Sequence, residues 1–331
     1  IIGADTLIIF SDVDGLYDKS KSKKIIKTVY KIDSKINALV DNNFKVTGTF
    51  YKKKIFYRNP KAKYKKIDLR NLNSCINLFR GMDYVFMCAA NTSGAAIMKK
   101  NPLVHLNDNV IMNNNSLNSA YQNKVKKFIF ISSSVVYPVT KKAVSENDVN
   151  DTFFDKYHIA ASMKRFAEKT CEIYSNKLNK PMKTLIIRPG NLYGDFDKFD
   201  LEKSHVIPAL IKKIDKSSKV LNVWGDGKDV KNFIYIKDFV DGVILATKSN
   251  LQVVNIANNT SCTLNEIIQH LLIIFKKKLL IKNDLTKPSM IPVRKISINL
   301  AKKKLKFRNK YSLKEGLERT VEWYKSNQFL V

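Results

Sequence analysis

KFIFISSSVVYP, residues 127–138, joins a short apolar run to three serines and then to Val-Tyr-Pro. Residues Lys127–Ile131 are predicted to form a buried β-strand, because aromatic and β-branched side chains dominate them. Hydroxyls that follow such a strand can donate to a developing oxyanion or accept from an alcohol. The stretch therefore predicts a core strand followed by a polar loop.

Strand-like and helix-like segments alternate on both sides of this stretch. The predicted strands are 6–10, 44–51, 84–87, 127–131 and 184–187, and the predicted helices are 73–80, 109–123 and 157–177. Alternation of this kind favours an α/β fold with a parallel, doubly wound sheet.

The pattern changes after about Gly194, where shorter segments predominate. Further helices are predicted at 207–214, 240–247, 264–275 and 313–327. We interpret residues 41–194 as the sheet-forming domain and residues 195–331 as a smaller α+β domain. Residues 1–40 differ in character and are treated as a separate segment.

The 331-residue chain has a formal net charge of +30, and lysine supplies nearly all of the excess. Such a charge is typical of nucleic-acid-binding proteins. The lysines are spread along the chain, however, so runs such as Lys52–Lys54 and Lys302–Lys304 are interpreted as solvated surface. We therefore expect no nucleic-acid partner, but a field that favours an anionic substrate.

The four cysteines lie far apart in the sequence, at Cys75, Cys88, Cys171 and Cys262. The absence of a CxxC pair argues against a metal site and a disulfide framework, and fits a reducing cytoplasm. No apolar run approaches the roughly 18 residues that a membrane span needs, so we expect no membrane association. Because the first residue is Ile1, we expect the chain to begin inside a longer reading frame.

From about residue 40 the chain resembles the extended short-chain dehydrogenases of the NAD(P)-dependent epimerase/dehydratase family. The likeness is greatest to the branch around GDP-L-fucose synthase. It rests on an ordered series of motifs: KIDLR at 66–70, MCAA at 87–90, SSSVVYP at 132–138, RPGNLYG at 188–194, SHVIPAL at 204–210 and WGDG at 224–227. The resemblance implies a Rossmann-like, dinucleotide-binding domain at residues 41–194, a substrate-binding domain at residues 195–331 and a nucleotide-sugar substrate. We expect a homodimer.

The resemblance also implies residues that contact the dinucleotide. The Asp68-Leu69 pair corresponds to residues that touch the adenine, although Asp68 can equally cap the next helix. Ala89 and Ala90 are small enough for the backbone to approach the cofactor closely. Asn109 matches an asparagine that braces the central strand, and a plain helix N-cap is an equally good interpretation.

A second group of residues is implied to contact the sugar nucleotide. Ser133 corresponds to the serine that lies over the reacting carbonyl or hydroxyl, and Asn191 to a substrate contact. His205 corresponds to an acid/base for epimerisation, although the partner cysteine of the family is Val135 here. Lys231 and Arg294 are candidates for binding the diphosphate, with ordinary surface charge as the alternative.

The acid/base motif of the family, Tyr-x-x-x-Lys, is altered. Lys164 matches the lysine that holds the nicotinamide ribose, but Ala160 stands where the tyrosine should precede it. Tyr157 is the provisional acid/base. On an ideal helix Tyr157 would lie about 10 Å from Lys164 along the axis. It can therefore serve only if the helix begins later than the motif implies and the preceding loop folds back.

The glycine loop of the family is missing. Gly-x-x-Gly-x-x-Gly normally lets the cofactor pyrophosphate sit on a helix N-terminus, yet the residues before Phe44 contain only Gly3 and Gly15. Residues 2–17, IGADTLIIFSDVDGLY, instead resemble a fragment of the amino-acid kinase family, glutamate 5-kinase especially. The catalytic lysines of that family are absent, so we expect no kinase activity and interpret the chain as a chimera joined near residue 40.

The replacement segment affects both the fold and the cofactor. Residues Thr6–Phe10 are predicted to fill the slot of the missing first strand, because an open groove in a parallel sheet would otherwise be exposed. The second strand ends in Thr49-Phe50-Tyr51, without an acidic residue for an NAD ribose, and Lys52–Lys54 follow. A bound cofactor is therefore NADP or NAD, with NADP favoured.

Together these features predict NAD(P)-linked oxidation and reduction at a nucleotide-bound hexose, with epimerisation or reduction as the outcome. Ser133, Tyr157, Lys164 and His205 are the predicted catalytic residues. The alternative is a catalytically impaired remnant that keeps the fold and nucleotide-sugar binding, and the missing glycine loop supports this alternative.

Overall fold

The computed structural model describes residues 7–10, 45–51, 59–91, 101–201, 204–286 and 290–328. The strands in these ranges are β1 Leu7–Phe10, β2 Val46–Phe50, β3 Lys63–Lys66, β4 Tyr84–Met87, β5 Lys127–Ile131, β6 Ala143–Val144, β7 Lys183–Pro189, β8 Asn191–Tyr193, β9 Val220–Trp224, β10 Val230–Lys231, β11 Phe233–Tyr235, β12 Val253–Ile256, β13 Cys262–Thr263, β14 Leu280–Asp284 and β15 Lys295–Ile296. The helices are α1 Leu72–Phe79, α2 Asn107–Gln122, α3 His158–Asn176, α4 Val206–Lys216, α5 Ile236–Thr247, α6 Leu264–Phe275, α7 Asn299–Leu305 and α8 Leu313–Ser326.

Seven of these strands form one parallel sheet in the order β12-β7-β5-β4-β1-β2-β3. The strand order reverses between β1 and β4, which is the arrangement of a doubly wound α/β sheet. The predicted α/β fold is therefore confirmed.

The predicted replacement of the first strand is also confirmed for β1. Leu7 pairs with Val46 of β2 on one side and with Tyr84 of β4 on the other, both in parallel register. The segment therefore lies in the centre of the sheet. Thr6 and the rest of the kinase-like segment, residues 11–40, lie outside the described residues, as do Lys52–Lys54.

Alternating side chains of the central strands face two separate cores. Val85 and Phe128 pack with the helices α1, α2 and α3, where Phe79 and Cys171 are fully buried. Their strand neighbours point to the opposite face, where α5 and α7 cover the sheet. Strands buried on both faces explain why residues 127–131 read as a continuous apolar run.

The remaining elements lie on the carboxyl side of the sheet as short strand pairs with helices against them. β8 pairs with β11, β9 with β14, β10 with β13 and β6 with β15. The helices α4, α6 and α8 pack on one another beside these pairs. β12, from the range assigned to the substrate-binding part, pairs with β7 in the main sheet, and the division at residue 194 stays a prediction.

The central position of β1 predicts a large effect of a backbone change there. Ile9→Pro should lower the free energy of unfolding by about 1–3 kcal/mol, because proline removes a ladder N–H from a strand paired on both sides. Ile9→Val keeps the N–H and serves as the control. Urea unfolding followed by circular dichroism measures both variants, and equal stability of the two would exclude β1 from the folded sheet.

Candidate functional site

Several predicted site residues lie where the central strands end. Ala89 and Ala90 follow β4, Ser133 follows β5, and Asn191 begins β8 directly after β7. The carboxyl ends of parallel strands meet at one edge of a sheet, and α/β proteins bind their ligands there. Ala89 and Ala90 are both buried, so this part of the edge is lined by small side chains.

Lys164 joins helix α3 to the end of β5. Its Nζ donates a hydrogen bond to the Ile131 carbonyl at 2.8 Å and lies 4.8 Å from the centre of the Phe130 ring. Burial lowers the pKa of the nearby His105 to about 4, and the charges of Lys164 and Lys198 act in the same direction. Positive charge is therefore concentrated at this strand end, beside a neutral imidazole.

Ser133 begins the short 3₁₀ turn 134–136. Its Oγ accepts a hydrogen bond from the Val135 N–H at 3.3 Å, and the side chain is half-buried. A hydroxyl that accepts one bond can still donate its own proton to another oxygen. The structure thus places both Ser133 and Lys164 at the β5 terminus.

The neighbouring Ser132 takes part in a buried ionic network that the sequence did not reveal. Its Oγ donates to Glu168 Oε1 at 2.5 Å, and Glu168 accepts two further bonds from Arg188 Nε and Nη2 at 2.9 and 2.8 Å. The Glu168 side chain is fully buried, and that of Arg188 is 4% exposed. The sequence does contain an indication of this network, because Glu168 follows Lys164 by one helical turn and Arg188 lies at the end of the next strand.

Tyr137 extends this network toward the second half of the chain. Its hydroxyl donates to Asn255 Oδ1 at 2.5 Å and accepts from Arg188 Nη1 at 3.2 Å. Burial raises the pKa of Tyr137 to about 12. Tyr137 therefore links the serine loop to β12 and is not suited to proton transfer near neutral pH.

Tyr157 and Lys164 are not brought together. Helix α3 begins at His158, and Tyr157 is its N-cap residue. No hydrogen bond of the described residues joins Tyr157 to Lys164, and burial raises the pKa of the Tyr157 phenol, whereas a nearby ammonium would lower it. Ala160 occupies the position one turn before Lys164, on the same side of the helix.

Asp68 and Leu69 lie in the loop after β3, and Asn109 lies in helix α2. The Asp68 carboxylate accepts from Arg70 Nε and Nη2 at 2.9 and 2.7 Å, and the pairing with Arg70 lowers the pKa of Asp68 to about 2. Leu69 is buried. Asn109 is also buried, and its amide bonds both backbone groups of Asn91, just after β4. Their proposed contacts with a dinucleotide stay predictions.

Lys231 and Arg294 lie close to each other on adjacent backbone segments. The Arg294 N–H donates to the Val230 carbonyl at 2.9 Å, and its guanidinium donates to the carbonyls of Pro138 and Tyr137 at 2.8 and 3.0 Å. Arg294 is 2% exposed, its Nε has no hydrogen-bond partner among the described residues, and burial lowers its pKa to about 10.

The positive charge of the Lys231 ammonium has a carboxylate beside it. Its Nζ lies 3.1 Å from an oxygen of Asp229 and also donates to the carbonyl of Ile291. Burial lowers the pKa of Lys231. The two predicted diphosphate ligands are thus adjacent to the end of the serine loop, with a counter-ion for Lys231.

Asn191 and His205 occupy two further positions, one on each side of the predicted division at residue 194. Asn191 is half-buried at the start of β8, and its N–H donates to the Asn232 carbonyl at 2.7 Å. His205 is the N-cap residue of α4, with its Nδ1 3.4 Å from Asp197 Oδ1. Within the described ranges, no group of three or more metal-ligating side chains occurs and no helix is long and apolar enough to cross a membrane.

The fold and this edge of the sheet are those of the doubly wound α/β class, whose members bind ligands at the carboxyl ends of the strands, and comparison with known proteins gives the family. The family model "NAD dependent epimerase/dehydratase family" matches residues 35–257, and the chain belongs to that family.

Individual relatives agree with this assignment. GDP-mannose 3,5-epimerase from Arabidopsis thaliana is 29% identical over 264 residues, which cover 78% of this chain and 69% of the relative. GDP-L-fucose synthase from Escherichia coli K12 is 27% identical over 264 residues, covering 75% and 81%. In fold, the chain is similar to UDP-glucose 4-epimerase from Thermotoga maritima, with a TM-score of 0.81, 22% identity and coverage of 98% and 99%.

The buried ionic network predicts how the stability of a single variant compares with that of a double variant. Glu168→Met should lower the free energy of unfolding by about 3–5 kcal/mol, because it leaves the Arg188 guanidinium buried without a carboxylate. The double variant Glu168→Met/Arg188→Met buries no charge and should recover most of this loss. Urea unfolding of both variants tests the prediction, which fails if the double variant is the less stable one.

Proposed function

We propose that the chain binds a nucleotide-linked hexose at the carboxyl edge of the sheet, with the diphosphate against Arg294 and Lys231. The proposal rests on Arg294. Its guanidinium is buried, and no carboxylate of the described residues neutralises its charge. A buried uncompensated cation is costly, and a diphosphate would supply the missing negative charge. The relatives named for GDP-linked sugars support the same ligand class.

The proposed reaction is hydride transfer at the bound hexose, as in the NAD(P)-dependent family, followed by epimerisation or reduction. NAD(P), when bound, supplies or accepts the hydride. The described residues fit the nicotinamide half of such a ligand, since Lys164 holds an ammonium at the β5 terminus and Ala89 and Ala90 place small side chains after the end of β4. Ser133 would donate its hydroxyl proton to the reacting oxygen.

Further parts of this proposal concern the cofactor and the remaining residues. NADP is proposed over NAD, because residues 49–51 offer no acid for a ribose and Lys52–Lys54 follow. Asp68 and Leu69 would contact the adenine, and Asn109 would brace the cofactor loop. Asn191 and His205 would contact the sugar.

A homodimer and a cytoplasmic location also belong to the proposal. Phe166 and Ile173, two turns apart on α3, are 50% and 49% exposed, and Ile111 on the neighbouring helix α2 is 43% exposed. These side chains supply an apolar face that a second copy of the chain would cover.

A second candidate function is nucleotide-sugar binding without catalysis. The observation that favours it is Ala160, which takes the place of the acid/base tyrosine one turn before Lys164. Tyr157 is the N-cap residue of α3, and burial raises the pKa of its phenol. On this alternative the diphosphate site would persist and hydride transfer would be absent.

The diphosphate site predicts a specific loss of affinity. Arg294→Met should weaken binding of GDP-mannose or UDP-glucose at least about tenfold, because a charge-assisted hydrogen bond contributes about 1.5–3 kcal/mol. Arg319→Met removes the same charge from an exposed position and should leave affinity unchanged. Calorimetric titration measures both, with thermal unfolding to verify the fold. Equal affinity of the two variants would contradict the proposed site.

Restoring the motif tests the reaction itself. Ala160→Tyr should raise the rate of NADPH oxidation with nucleotide-linked keto-hexoses by about 10²–10⁴-fold, because it places a phenol one turn from Lys164. Ala160→Phe has the same ring without the hydroxyl and should not. If the parent chain is already active and Tyr157→Phe abolishes the activity, Tyr157 is the acid/base. If neither the parent nor Ala160→Tyr turns over while sugar nucleotides still bind, the non-catalytic alternative is correct.

A further inference from the structure

We infer that Asp197 is a positioning residue that fixes the orientation and tautomer of His205. The His205 side chain is 52% exposed, whereas that of Asp197 is 1% exposed, and Nδ1 of the ring lies 3.4 Å from Asp197 Oδ1. The carboxylate therefore holds the ring from its buried side. This inference deepens the proposed function and rests on it for the identity of the substrate.

The loop that carries Asp197 is built to hold the carboxylate in place. Oδ1 of Asp197 also accepts the Lys198 N–H at 2.8 Å. On either side of Asp197, Phe196 and Phe199 pack against Trp323 of α8, with ring centres 5.0 and 6.0 Å apart.

The start of the loop is equally constrained. Gly194 has φ +142, and a Cβ there would lie 2.5 Å from Ile236 Cγ2, so only glycine fits without a shift. The next residue, Asp195, accepts from the Tyr235 hydroxyl at 3.0 Å. A carboxylate anchored in this way is suited to orient an imidazole on the adjacent helix terminus.

The pairing decides which ring nitrogen can act as a base. A carboxylate at Nδ1 favours the tautomer with the proton on Nδ1, which leaves the lone pair on Nε2 and directs it toward solvent and ligand. Nε2 can then remove a proton from the carbon beside a keto group. The C–H bond breaks, its electron pair moves to the carbonyl oxygen as an enolate, and the proton is bound on Nε2. Asp197 stabilises the imidazolium that results, and return of the proton reverses the step.

The tautomer can be tested without any substrate. Long-range ¹H–¹⁵N correlation spectra of the full chain, labelled at histidine, distinguish a protonated Nδ1 from a protonated Nε2, and His205→Gln assigns the signal. We expect the Nδ1–H form for His205 in the parent chain and a shift toward the Nε2–H form in Asp197→Asn. Asp195→Asn removes a neighbouring carboxylate of the same loop and should leave the His205 spectrum unchanged.

A second measurement addresses the chemistry. In D₂O, exchange of the hydrogen beside the carbonyl of a nucleotide-linked keto-hexose should slow at least about tenfold in Asp197→Asn, with the affinity for the sugar nucleotide unchanged. Asp197→Glu, which retains the carboxylate, should recover part of the rate.

The two measurements distinguish a wrong role of Asp197 from a wrong proposed reaction. A parent spectrum with the proton on Nε2, or an unchanged spectrum in Asp197→Asn, would overturn the role of Asp197. The expected spectra without any exchange in the parent chain would uphold the positioning and refute the proposed reaction.

Discussion

The buried ion pair between Glu168 and Arg188 is the constraint on which the site depends. Two charges removed from water are tolerated only when their geometry is good and their remaining hydrogen-bonding groups are satisfied, and both conditions hold here. Ser132 and Arg165 each donate a further bond to Glu168, and Tyr137 lies against Arg188. Through the side chains of Glu168, Arg188, Ser132 and Tyr137 the ends of β5 and β7, the helix α3 and the serine loop are fixed relative to one another.

This framework explains why the groups beside it are well placed for chemistry. Ser133 is held between residues of the network, and Lys164 leaves the same helix as Glu168 one turn earlier. Arg294 donates to the carbonyls at the end of the serine loop, and no carboxylate among the described residues pairs with it. Backbone carbonyls orient this guanidinium without cancelling its charge, so it provides this edge of the sheet with a positive group suited to phosphate.

Much of the fold was predictable from local sequence, and the site less so. The strands 84–87 and 127–131 match the structure because continuous apolar runs identify buried strands. The partners Glu168 and Asp197 were missed, since each gains its role from a residue distant in space or from a loop fold that no periodicity encodes. The order of the motifs predicts Ser133 and Lys164 as site residues. How Tyr157 lies relative to Lys164 could not be predicted, because it depends on the residue at which helix α3 begins.

The central strand β1 comes from the segment with the foreign likeness, yet it pairs on both sides with the family's own strands. Neighbouring strands of a parallel sheet pair through backbone N–H and C=O groups, so many different sequences can occupy this central position. The glycine loop that normally follows has no such generic substitute, because its function depends on particular residues. A strand position in a parallel sheet therefore sets weaker sequence requirements than a phosphate-binding loop does: β1 completes the sheet, although the residues before Phe44 contain only Gly3 and Gly15.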